Sequence, residues 1–144
     1  MSKFLRMLLA VIVGFVLGSI VNMALIMVSG QIIPPPAGAN VTTMEGLKAS
    51  LHLFEAKHFI FPFLAHAMGT LVGALVAFLL APAKSPVPAY VVGALFLLGG
   101  IANTFLLPAP ARFIAADLLL AYLPSAWLGL VLAKRISSGG ASGA

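Results

Sequence analysis

The chain has 144 residues, of which 62% are hydrophobic and 8% charged, and a mean hydropathy of +1.15, values that a water-soluble domain of this size does not carry on its surface. Its formal charge of +5 does not point to nucleic acid, because the basic residues are not gathered on a polar face but stand at the ends of apolar runs, as the positive-inside rule expects. With no cysteine there is no disulfide, no thiolate metal site and no thiol redox centre, which excludes thiol-dependent quinone-linked oxidoreductases.

The first apolar run, about residues 4–29, follows Lys3 and Arg6 and is long enough to span a hydrocarbon core that needs roughly 20 residues. A cleaved signal peptide has an apolar region of only about 7 to 15 residues, so this run is expected to remain as a span. Gly14, Gly18 and Asn22 stand four apart on one of its faces. The glycines offer a close approach to a neighbouring helix, and an amide on that face is expected to point inward, since lipid would leave it unsatisfied.

Residues 31–50 form the one long polar connection. Pro34, Pro35 and Pro36 fix an extended segment and Gly38 and Asn40 turn it. Thr42 with Glu45 matches a capping box, which predicts a helix from about Thr43. Leu47, Leu51 and Phe54 recur at helical spacing opposite Glu45, Lys48 and His52, a pattern for an amphipathic helix lying in the interface over about 43–56.

Residues 52–81 read as one helix that starts polar and continues into the bilayer as the second span, about 57–81. His52, Glu55, His58 and His66, which include all three histidines of the chain, fall within an arc of about 120° at about 100° per residue. Below them Ala65, Gly69, Gly73, Ala77 and Ala81 form a small-residue ladder. Pro62 cannot donate to the carbonyl of His58, so a kink is expected there. A short turn carrying Lys84 leads to the third span, about 87–107, and a proline hairpin to the fourth, about 111–133. Residues 137–144 are small and polar and are expected to be a disordered cytoplasmic tail, leaving 1–136 as one four-helix domain.

With both termini inside, Lys3, Arg6, Lys84, Lys134 and Arg135 are cytoplasmic against Lys48, Lys57 and Arg112 outside. Five against three sets the orientation as N-in, C-in. Asn22, His58, His66, Asn103 and Asp117 then all fall in the outer part of the membrane. An ionisable side chain in a span is costly and faces the bundle interior or a wet cavity. Asp117 heads a second ladder, Asp117, Ala121, Ser125, Gly129 and Ala133, so its packing face carries its carboxylate. If the two ladders pack together, His66 and Asp117 meet in a medium where their protonation is coupled. The expected site is a cluster of Asn22, His66, Asn103 and Asp117 opening outward, rimmed by Glu55, His58 and Arg112.

Each of these residues also has a plainer role. The asparagines serve as interhelical glue, Asp117 pairs with Arg112 or its helix dipole, His66 is a satisfied core histidine, and His52, Glu55 and His58 are a wet interfacial face. Trp127, Tyr90 and Tyr122 read as anchors or packing residues. His52-x-x-Glu55-x-x-His58 offers ligands for one loosely held zinc ion, but too few carboxylates remain for a di-iron centre, so no metal or other cofactor is expected.

The Ile33-Pro34-Pro35-Pro36-Ala37-Gly38 segment before an amphipathic helix, the Ala65-x-x-x-Gly69-x-x-x-Gly73 span, and Leu98-Gly99-Gly100-Ile101-Ala102-Asn103 with Pro108-Ala109-Pro110 resemble small four-span bacterial inner-membrane proteins of uncharacterised function. The resemblance implies a multi-pass protein of the bacterial inner membrane and brings no activity with it. The sequence thus predicts an all-α, four-helix membrane bundle. Its partners are the lipid bilayer and, through the small-residue ladders, a second copy or another membrane protein. Three functions stay open: a binding or accessory protein with an outward polar pocket for a small solute, lipid or quinone-like ligand; a structural subunit of a larger complex; or an intramembrane acid-base enzyme.

Overall fold

Ser2 opens the first helix by accepting a hydrogen bond from the Leu5 amide at 3.2 Å, and no proline or chain-reversing glycine interrupts α1 over Lys3–Ile32. In this computed structural model, which describes residues 1–139, α2 (Met44–Ser50), α3 (Ile60–Leu80), α4 (Val87–Leu106), α5 (Ala111–Ala116) and α6 (Leu123–Gly139) follow, with no strand among the described residues. A turn of 3₁₀ helix at Ala56–Phe59 leads into α3, and a π turn at Asp117–Ala121 joins α5 to α6. Four helical segments, Lys3–Ile32, Ala56–Leu80, Val87–Leu106 and Ala111–Gly139, are long and apolar enough to cross a membrane. Large side chains such as Ile20, Leu98 and Leu119 stay exposed along them, a surface suited to lipid.

α3 is the central helix. On one face it meets α1 backbone to backbone. A Cβ on Gly14 would stand 2.5 Å from the Gly73 carbonyl oxygen, and a Cβ on Gly73 would stand 2.9 Å from that of Gly14. Gly18 and Gly69 are related in the same reciprocal way. The neighbouring face of α3 receives α6, where a Cβ on Gly129 would collide with the Leu71 carbonyl, and Ala74 and Phe78 join Ala126, Leu130 and Ala133 in one core cluster. The two ladders therefore do not pack on each other. Each seats a different flank of the bundle against α3, because a ladder of small residues fits a ridge of larger ones as well as another ladder. Ala121, Ser125 and Gly129 are buried inside the chain, as are Gly14, Gly18, Gly69 and Gly73.

Three expectations near the chain's polar segments are corrected. The helix over 43–56 is α2 alone, capped by Thr43, which accepts from the Gly46 amide at 3.0 Å, while Thr42 bonds Asn40. After a 3₁₀ turn at Leu51–Leu53 the chain extends at Phe54 and Glu55 before turning again. Residues 52–81 are thus not one helix, and His52 does not share a face with His58 and His66. Pro62 sits in the first turn of α3, where its missing N–H interrupts little. At the other end of the chain α6 runs on to Gly139, so helix replaces the expected disorder at 137–139; residues 140–144 lie outside the described residues.

The up-and-down path gathers Lys3, Arg6, Lys84, Lys134 and Arg135 at one end of the bundle, and α2, the 3₁₀ turns at Leu51–Leu53 and Ala56–Phe59, and α5 at the other. Replacing Gly14 with alanine forces α1 off a backbone oxygen that cannot yield, at a cost of about 1–3 kcal/mol. Gly30→Ala, whose Cβ meets nothing within 4 Å, should be neutral. Thermal unfolding of the two variants in one detergent checks the difference, and equal stabilities would contradict this packing.

Candidate functional site

Pro124 shapes the site from sequence alone. It cannot donate to the carbonyl of Leu120, and the helix just before it widens into the π turn over Asp117–Ala121. In a regular α-helix residues five apart lie about 140° apart around the axis. The wider turn brings Asp117 and Tyr122 to one side, where the Tyr122 hydroxyl donates to Asp117 Oδ2 at 2.7 Å. Tyr122 is 1% and Asp117 5% exposed.

His66, in the second turn of α3, completes the arrangement. Its Nδ1 lies 2.8 Å from Asp117 Oδ1 and 3.0 Å from the Tyr122 hydroxyl, and its ring stacks on that of Tyr122 with centroids 5.6 Å apart. The Thr70 hydroxyl bonds the His66 carbonyl one turn along at 2.7 Å. A carboxylate accepts only, so the pattern assigns a proton to Nδ1, directed at Oδ1, while tyrosine serves Oδ2. Hydrogen bonds to a carboxylate are stronger than those between neutral groups; the one from Nδ1 fixes the tautomer and orientation of the imidazole, and the one from Tyr122 fixes the carboxylate that receives it. Nε2 has no hydrogen-bond partner among the described residues. It is the atom such an arrangement leaves for a proton or a ligand.

Two cavities meet His66. One, of about 160 Å³, lies at the α2 end of the bundle under Leu47, Leu51 and Phe59 and also reaches His58, Asn103 and Asp117. The other, of about 300 Å³, lies between α1 and α4, with Asn22, Asn103 and Tyr122 in its walls. Of the expected cluster, His66 and Asp117 are in direct contact, and Asn22 and Asn103 share a cavity with His66. His58 reaches the end cavity, but its Nδ1 accepts the Glu55 amide at 2.9 Å. Glu55 and Arg112, expected at the rim, line neither of these two cavities. Glu55 is exposed and pairs with Lys57 at 3.2 Å, and Arg112 borders a separate groove among Phe54, Phe59, Phe63 and Phe113.

No group of three His, Asp or Glu side chains is placed to hold a metal ion among the described residues. His52 in particular turns its Nδ1 to the Ala49 carbonyl at 2.7 Å, away from Glu55 and His58. Tyr122 is the site residue that the sequence reading assigned to packing. The signal for it was Pro124, two residues on, which implies a register change that a regular helical wheel cannot show.

Gly100 leaves room for this set, since a Cβ there would run into the Tyr122 hydroxyl and ring. Gly100→Ala should therefore match Tyr122→Phe, each losing about 1–3 kcal/mol as Asp117 Oδ2 is left without its donor. Gly99→Ala, with nothing within 4 Å of the new methyl, should stay within about 0.5 kcal/mol of the parent. Thermal unfolding of the three variants decides it, and an unaffected Gly100→Ala would contradict the arrangement. Comparison with known protein families, with curated proteins and with solved structures returned no match.

Proposed function

We propose that the chain is a multi-pass protein of the bacterial inner membrane, with both termini cytoplasmic, that binds a small lipid-soluble ligand in the polar pocket around His66. The observation that carries this reading is the His66 imidazole, fixed through Nδ1 by Asp117 and Tyr122 on a side chain that lines two cavities whose other walls are mostly apolar. A few convergent polar groups in an apolar cavity are the usual make-up of a small-molecule site. The five basic residues gathered at the opposite end support the orientation, which opens the pocket toward the outer face.

Binding is favoured over acid-base catalysis because, among the described residues, the imidazole hydrogen-bonds only with Asp117 and Tyr122. Neither is a free nucleophile, and the Thr104 hydroxyl, in the wall of the end cavity, is bonded to the Ile101 carbonyl at 2.7 Å. Binding is favoured over a purely structural role because the small-residue ladders, the features suited to assembly with a partner, are already used within the chain.

Native mass spectrometry of the protein released from its own membrane tests the proposal. The expected result is a retained small molecule on the parent chain that is lost from His66→Gln and from Asp117→Asn. A partner protein in its place, kept by both variants, would overturn the binding reading in favour of the structural one.

A further inference from the structure

The end cavity is roofed by α2, whereas the cavity between α1 and α4 is bordered by residues exposed on the outside of the bundle. Leu95, Gly99, Ala102 and Leu106 line it from α4 and are all exposed. α1 touches α4 far less than it touches α3, so the two outer helices lean on the centre and leave a gap between them. In a bilayer that gap faces hydrocarbon. Its floor is the polar set itself, with His66 and Tyr122 at the inner wall.

Three side chains in this gap have hydrogen-bonding capacity that the protein leaves unused. Among the described residues His66 Nε2 has no partner, Asn103 makes no side-chain hydrogen bond, and the Asn22 carboxamide makes none either, its Oδ1 being enclosed and unpartnered. An unpaired amide in a spanning helix is costly, and close packing on Gly69 holds this one in place, since a Cβ there would lie 2.9 Å from that of Asn22. With Nδ1 protonated toward Asp117, a neutral imidazole offers Nε2 as an acceptor. The asparagine amides in the walls of the same cavity offer N–H donors. A hydroxyl answers these two at once, donating to Nε2 and accepting from an amide N–H, while the enclosed Asn22 Oδ1 stays outside that exchange. The remaining walls are ring-bearing: Phe15 and Phe96 lie 5.1 Å apart between centroids and share the cavity with Tyr122.

We infer that the pocket takes a lipid-soluble phenol, hydroquinones included, and that the ligand reaches it sideways from the bilayer through the gap between α1 and α4. This rests on the binding reading above and narrows it to a head group and a route. The aromatic body lies among Phe15, Phe96 and Tyr122, and the hydroxyl bridges His66 Nε2 and an asparagine amide.

The probes are a long-chain alkylphenol and its O-methyl ether, which differ only in the donor, each titrated into nanodiscs holding the full chain while its thermal unfolding is followed. The phenol should raise the unfolding temperature of the parent in a saturable way. The ether should bind about tenfold more weakly, as expected for one lost hydrogen bond to a buried acceptor. Ala102→Phe and Gly99→Trp place bulk in the gap without touching the polar set, and both should abolish the response while leaving the unliganded protein as stable as the parent. Equal responses to phenol and ether would overturn the hydroxyl head. An undiminished response in a stable Gly99→Trp or Ala102→Phe variant would overturn the lateral route. Each of these results leaves binding at His66 in place. No response to either probe, together with a native-state ligand still lost from His66→Gln, would overturn the phenol class alone. Loss of the binding reading itself would show as the absence of any His66-dependent ligand.

Discussion

A carboxylate placed inside an apolar helix bundle must find donors for its oxygens or be expelled, and the upper half of this molecule is arranged around that requirement. Asp117 is buried, and each of its oxygens has a donor, one from α3 and one from five residues further along its own span. Hydrogen bonds to a charged acceptor contribute about 1.5–3 kcal/mol each, and removing one exposes the cost of the unanswered oxygen. The π turn makes the arrangement possible, since it brings Tyr122 under Asp117. Gly100 leaves the tyrosine hydroxyl its space. A local irregularity, a missing side chain and a buried ring thus act together on one carboxylate.

That requirement also fixes which atom of His66 is left to act. Because Nδ1 is held by Asp117 and Tyr122, the ring cannot turn without breaking both contacts, and Nε2 is the ring nitrogen left without a partner among the described residues. α3 can hold the ring there because it is clamped on two flanks. The glycines of α1 touch its backbone on one side and Gly129 of α6 on another, so its first turns are carried by a rigid element even though the segment before them is irregular. The site is therefore set by packing lower in the bundle as much as by its own hydrogen bonds.

Much of this was legible in the residues. The four spans follow from length and hydropathy, with ends within a few residues of the helices observed, except that the last runs on to Gly139. The approach of His66 to Asp117 follows from the expense of leaving either group unpaired on an apolar helix. Positions spaced by four, from Asp117 through Ala133, are all buried. Other features were hidden for physical reasons. Spacing by four marks a face but does not name its partner, so nothing showed that the ladder of α3 would meet α1 while the ladder of the last span met another face of α3. The stripe of His52, Glu55 and His58 assumed an unbroken helix, whereas the chain extends at Phe54 and Glu55, and no proline or glycine there announces the break. Tyr122 was hidden because a helical wheel assumes 3.6 residues per turn, and Pro124 removes that regularity just where the tyrosine matters.

The central claim, that Asp117 and Tyr122 hold the His66 imidazole with its proton on Nδ1 and leave Nε2 open, is tested most directly by nitrogen-15 magnetic resonance of histidine-labelled protein in lipid bilayers, with Asp117 carbon-13 labelled. The account predicts for His66 a protonated Nδ1 in dipolar contact with the Asp117 carboxyl carbon, and that contact disappears in Asp117→Asn. A proton on Nε2 with a bare Nδ1, or no contact between the two side chains, would contradict it.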